Sequence, residues 1–172
     1  MTDAATMSAV CNSFEDIWEI IALLDEQGTE LSNLSVVGLS PDPGDHVVGF
    51  YHSKDRCHSL GLYPFDLWSR IKEAGLFVLP GTGPVVVAGP LLKVLVTTLE
   101  KVRETHYTGG VSIIAAALRN LGANGEKLRH FDTALKAGEV VIVYSGAGDE
   151  TERVRALLEP RRTIYFSSPK HP

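Results

Sequence analysis

"EVVIVYSG" (Glu139–Gly146) is the stretch on which the fold turns. Val140, Val141, Ile142 and Val143 follow one another without a polar break, and Tyr144 continues the run. Such a run suits a strand covered on both faces, hence a central position in a sheet. "GDETERVRALLE" (Gly148–Glu159) follows, with Asp149 as an N-cap and an acidic first turn that suits a helix start. "RRTIYFSS" (Arg161–Ser168) closes the chain as a further strand. The C-terminal end therefore reads strand–helix–strand.

The N-terminal end repeats that order. "TMSAVCN" (Thr6–Asn12) is a strand, and Asn12 or Ser13 offers an N-cap ahead of Glu15 and Asp16. Phe14, Ile17, Trp18, Ile20, Ile21 and Leu24 then recur at helical spacing until Gly28. "NLSVVGLS" (Asn33–Ser40) is the second strand. Two such units predict an α+β fold with a ferredoxin-like split βαβ core, an antiparallel sheet with helices on one face. The core spans 6–40 and 139–168, and residues 42–138 form an insertion. No low-complexity linker separates these parts, so one domain, 1–172, is expected.

Within the insertion, "HVVGFYH" (His46–His52) reads as a strand and "SKDRCHSLGLY" as a loop. Pro64–Gly75 reads as a helix, opened by proline and closed by glycine. "LFVLP" and "PVVVAGP" read as two β segments around "GTG", an inserted hairpin, and Pro90 starts a helix. Two more helices are predicted, Gly109–Gly122 and Asn124–Gly138, the latter with Leu128, Phe131 and Leu135 on one face. Of the strands, Val140–Ser145 and Ile164–Ser167 are expected to offer edges for pairing across a dimer.

Composition narrows the function. The 172 residues are 44% hydrophobic and 22% charged, ordinary values for a folded soluble protein. A formal net charge of −5 with scattered bases argues against nucleic acid as a partner, because neutralising phosphates takes clustered Lys and Arg. Cys11 and Cys57 form no CxxC pair, and the N-terminus lacks a cationic stretch followed by an apolar one. A reduced, cytoplasmic protein is expected.

"GLFVLPGTGPVVVAGPLLKVLV" (Gly75–Val96) is the most distinctive segment of the insertion. A phosphate loop would need a Lys followed by Ser or Thr, and a dinucleotide loop a third glycine where Val86 stands. No cofactor motif is therefore read. The run is long enough to cross a bilayer, but Pro80, Pro84 and Pro90 would break a spanning helix. Peripheral membrane contact stays open; a transmembrane span is not expected. Pro80, Gly81, Gly83, Pro84, Gly89 and Pro90 are read as a stiff loop beside Val85–Val87, a candidate interaction surface.

His46, His52, Cys57 and His58 lie close in sequence. On one strand His46 and His52 would be roughly 20 Å apart, too far to share a metal. His52, Cys57 and His58 could converge in a loop, although their spacing matches no standard zinc pattern. Cys57 beside His58 or His106 lacks an oxyanion-hole signature, so no catalytic residue is assigned. Glu15/Asp16 and Asp149, Glu150, Glu152 are read as helix N-terminal charges.

"FVLPGTGPVVVAGPL" (Phe77–Leu91) resembles the PG-x-GP-x-x-x-AGPL stretch of the general stress protein 17M-like (heat-induced stress protein) family of small bacterial proteins. "AAALRNLG", "FDTALKAGEVVIVYSG" and "DETERVRALLE" resemble the same family's pattern, so the likeness covers about the second half of the chain. The glycine-zipper segment usual after AGPL is replaced here by "LKVLVTTLEKVRETHYTGGVSIIAAAL". The resemblance implies stress association and no enzymatic residues. The expected function is a non-enzymatic protein acting through self-association, as a homo-oligomer, or through a protein partner. The alternative is a small-ligand or metal sensor built on His52, Cys57 and His58.

Overall fold

The computed structural model describes residues 4–39, 50–51, 74–79, 83–105, 112–160 and 164–167. In chain order they form β1 (Ala4–Cys11), α1 (Phe14–Glu26), a 3-10 turn (Leu31–Asn33), β2 (Leu34–Leu39), β3 (Phe50–Tyr51), β4 (Ala74–Leu79) and β5 (Gly83–Ala88). There follow α2 (Leu91–Thr105), α3 (Ile113–Leu121), a second 3-10 turn (Gly125–Lys127), α4 (Leu128–Lys136), β6 (Val140–Ala147), α5 (Gly148–Leu158) and β7 (Ile164–Ser167).

The strands make one antiparallel sheet in the order β3-β4-β5-β2-β6-β1-β7. Four of them, β7-β1-β6-β2, have the ferredoxin-like arrangement predicted from the two ends of the chain. The uninterrupted apolar run of β6 occupies the middle: Cys11 pairs with Val140 on one side and Gly38 with Val140 on the other. Val140–Ser145 is therefore no edge. Both its backbone sides are already hydrogen-bonded, which corrects the expectation that it could pair across a dimer.

Because side chains alternate along a strand, each face of the sheet collects its own core. Met7, Ala9, Val36, Ile142 and Tyr144 pack against Ile17, Ile21 and Leu24 of α1 and Val154 and Leu158 of α5. The opposite face gathers Val37, Val85, Val87, Val141 and Val143 beneath Leu95, Leu118, Phe131 and Leu135 from α2, α3 and α4. The two helices of the ferredoxin-like core, α1 and α5, lie on one face as expected, and the helices of the insertion lie on the other. The insertion widens the sheet by three strands and roofs its second face, since a sheet with apolar residues on both sides must be covered twice.

Local signals account for most element boundaries. Ser13 caps α1 by accepting from the Asp16 N–H at 3.4 Å, while the Asp16 carboxylate accepts from the Asn12 N–H at 3.2 Å. Ser112 caps α3 in the same way, accepting from Ala115 N–H at 3.1 Å, and Gly122 ends it in the left-handed region at φ 112°. At α5 the expected Asp149 cap is replaced by Ala147, which makes no side-chain cap bond; Asp149 sits in the first turn, where its charge still suits the helix dipole. Ala74 and Gly75 belong to β4 and not to a helix ending at Gly75. The remainder of that predicted helix, residues 64–73, lies outside the described residues.

Candidate functional site

The described part of the proline- and glycine-rich stretch forms β5 and the turn into α2. Gly83 and Pro84 belong to β5, opposite Leu79 and Val78 of β4. Val85, Val86 and Val87 are fully buried, so they cannot serve as the contact surface expected of them. Gly89 is buried at φ 82°, with the backbone of Leu34 and Ser35 against it, and the Ser35 hydroxyl accepts from Leu91 N–H at 3.0 Å. Pro90 is half-buried at the start of α2. Pro80 and Gly81 lie outside the described residues, as do His52, Cys57 and His58. Among the described residues no group of three His, Cys, Asp or Glu side chains could hold a metal ion.

A polar cluster that the sequence reading missed sits where β6 runs into α5. Tyr144 is the last residue of β6 to face α1 and α5, and it is fully buried. Its hydroxyl donates to the Glu30 carbonyl at 3.3 Å. Burial pushes the phenol up to about 12, an effect reinforced by the Glu150 and Glu30 carboxylates and opposed by the Asn33 side-chain hydrogen bond. Glu30 N–H in turn donates to Glu150 Oε1 at 3.2 Å, and the Glu30 carboxylate accepts from the Ser32 hydroxyl at 2.7 Å.

Beside this cluster lies an open hollow of about 440 Å³ lined by Ala147, Asp149, Glu150 and Arg153. Its chemistry is limited by what its neighbours already do. A phenol raised to about 12 stays protonated at neutral pH and is a donor, not a base. Glu150 is engaged by the Glu30 backbone. Across the junction, Thr151 hydroxyl donates to the Ala5 carbonyl at 3.2 Å and Thr6 and Ser145 hydroxyls meet at 3.1 Å. The arrangement ties the 3-10 turn, β1, β6 and α5 together at one end of the sheet. The signal that pointed to it was slight: a tyrosine closing an otherwise aliphatic strand just before a helix start, a place where a hydroxyl can reach the strand ends.

The remaining feature of note is the sheet's edge. β7 pairs with β1, Ala9 opposite Ile164 and Thr6 opposite Ser167, and has no second neighbour among the described residues. The far edge, β3, is two residues long. No helix among the described residues is long and apolar enough to cross a membrane; the run through Gly75–Val96 is divided among β4, β5 and α2. Compared with known protein families, with curated proteins and with solved structures, the chain matches none of them.

Proposed function

We propose that the chain is a non-enzymatic, cytoplasmic and stress-associated protein that works by association, pairing with a second copy along β7. The observation that carries this reading is the place of β7 at the end of the strand order, with β1 its sole partner among the described residues. Ile164, Tyr165 and Phe166 are residue types that favour extended, paired backbone. An unpaired row of N–H and C=O groups is a template for another strand, and a two-fold axis would let the same edge meet itself. The polar groups at the β6–α5 junction support the same reading, because the bonds they make are structural ones.

Successive N–H groups along a strand point to opposite sides. Of Ile164→Pro and Tyr165→Pro, one therefore removes a bond to β1 and the other an outward donor. Light scattering after size exclusion should give a dimer for the native chain in the micromolar range. The outward proline should give a folded protomer, and the inward one a less stable chain. A native chain that stays a protomer throughout that range overturns the proposal.

A further inference from the structure

We infer that the chain carries a second, electrostatic mode of self-association, in which the α1–α5 face of one copy docks on the α2–α4 face of the next. All the lysines and arginines lie at or beyond Lys54; residues 1–53 contain none, yet hold nine carboxylates. The fold turns this asymmetry along the chain into one across the molecule. α1 contributes Glu15, Asp16, Glu19, Asp25 and Glu26 and no base. Beside it, α5 adds Asp149, Glu150 and Glu152 and its C-cap residue Glu159, and Arg155 is paired internally with Glu152 and Glu159 at 3.2 and 3.8 Å. Arg153 is the one other base on this face among the described residues.

On the opposite side of the sheet, exposed bases outnumber exposed acids among the described residues. Lys93, Lys101, Arg119, Lys127, Arg129 and Lys136 are exposed there. Among the described residues Glu100 and Glu126 are the exposed acids there, and Asp132 is taken up by Lys136 at 3.1 Å. The two surfaces lie on opposite faces of one sheet, because α1 and α5 pack on one set of alternating residues and α2, α3 and α4 on the other. Copies can therefore stack face to opposite face, each contact presenting unlike charge. A contact between two different patches is heterologous, so it does not close on itself as a two-fold dimer does. Unlike patches attract over about a Debye length, roughly 10 Å at 0.1 M salt and 3 Å at 1 M, so this mode belongs to low ionic strength. It is independent of β7 and of the dimer proposed there.

Sedimentation equilibrium of the full chain in two salt concentrations, about 0.05 M and about 1 M, separates the modes. At low salt the mean mass should climb past a dimer with concentration, and the association constant should fall at least about tenfold at high salt. The proline variants of β7 should leave this salt-sensitive step in place. Glu19→Lys/Glu26→Lys roughly halves the net negative charge of the acidic face, and Lys93→Glu/Arg129→Glu cancels the positive excess of the basic face. Each variant alone should weaken the step, and a mixture of the two should regain it as a hetero-complex through the one unaltered face that each retains. All four positions are exposed on helices, and circular dichroism checks that folding is kept; the milder Glu→Gln and Lys/Arg→Gln pairs should weaken the same step. An association constant indifferent to salt, or a mixture no heavier than its components, overturns the inference.

Discussion

Gly89 lies directly against the backbone of Leu34: a β-carbon added there would overlap the Leu34 carbonyl oxygen and come within 2.9 Å of Ser35 Cα. The glycine also holds φ 82°, a left-handed conformation that L side chains rarely adopt. Both constraints fall where β5 turns into α2, so the insertion's roof helix starts against β2 of the ferredoxin-like core. Gly89→Ala should therefore cost about 3 kcal/mol or more, combining backbone strain with a clash against main chain that cannot swing away. Thermal unfolding should show a Tm lower by roughly 6–12 °C for a chain of this size. A variant with the native Tm would mean that the β5–α2 turn is not packed on β2.

Tyr144 predicts a pH dependence with a definite sign. Its phenol is raised from 10 to about 12 in the folded protein, so the folded state holds the proton more tightly than the unfolded chain does. This contribution to stability is complete below pH 10 and disappears as pH rises through about 12. Alkaline unfolding should steepen in that window. Tyr144→Phe should remove the Tyr144 share of that slope and lower stability at neutral pH by about 1 kcal/mol, the usual worth of a hydrogen bond such as that to the Glu30 carbonyl. Denaturant titrations of both proteins at pH 8, 10 and 12 check this. Equal pH slopes in the two would show that the phenol is not held above its ordinary value.

Phe131, fully buried on α4, tests whether the insertion's roof and the α1–α5 face melt together. It packs in the core under α2, α3 and α4, on the far side of the sheet from Trp18, which flanks the α1 core. The two cores share β6, whose Val141 and Val143 face one way and Ile142 and Tyr144 the other. Phe131→Ala should cost about 3–5 kcal/mol. Trp18 fluorescence, read in a Trp68→Phe background, should report the same lowered midpoint as far-ultraviolet circular dichroism. Midpoints that separate would show two cores unfolding independently.

These relationships were legible in the sequence to unequal degrees. The unbroken aliphatic run Val140–Val143 announced a doubly covered strand, because a run without alternation has no solvent face. Ser13 announced a helix start, because an N-cap acts within three residues of itself. The hairpin of "LFVLP" and "PVVVAGP" was legible, but the burial of Val85–Val87 was not. An apolar β segment beside prolines and glycines can flank an exposed turn or lie inside a sheet, and only pairing with β2 and β4 decides between them. The link from Tyr144 to Glu30 was hidden for a related reason. Those residues are 114 apart in the chain, and no local spacing encodes a contact that long-range packing creates. The helices of the insertion were legible, but their place on the second face of the sheet was not, because helical spacing does not say which surface a helix covers. The core β strands of the ends, apolar on both faces, already demanded a cover.

Thr151 and Thr29 should respond to the same substitution with opposite signs. Thr151 is fully buried on α5, and its hydroxyl donates to the Ala5 carbonyl at 3.2 Å, linking α5 to β1. Valine keeps the shape and loses the donor, so Thr151→Val should destabilise by about 1–2 kcal/mol. Thr29 is 6% exposed, just after α1, and its hydroxyl has no hydrogen-bond partner among the described residues. An unpaired buried hydroxyl carries its desolvation cost without return, so Thr29→Val should stabilise by about 0.5–1 kcal/mol. The backbone bond from Thr29 N–H to the Leu24 carbonyl, 3.0 Å, is untouched by the change. Urea midpoints measured side by side decide both claims. A Thr29→Val protein less stable than the native chain would show that the hydroxyl has a partner after all. An indifferent Thr151→Val would show that α5 is held to β1 by its apolar contacts alone.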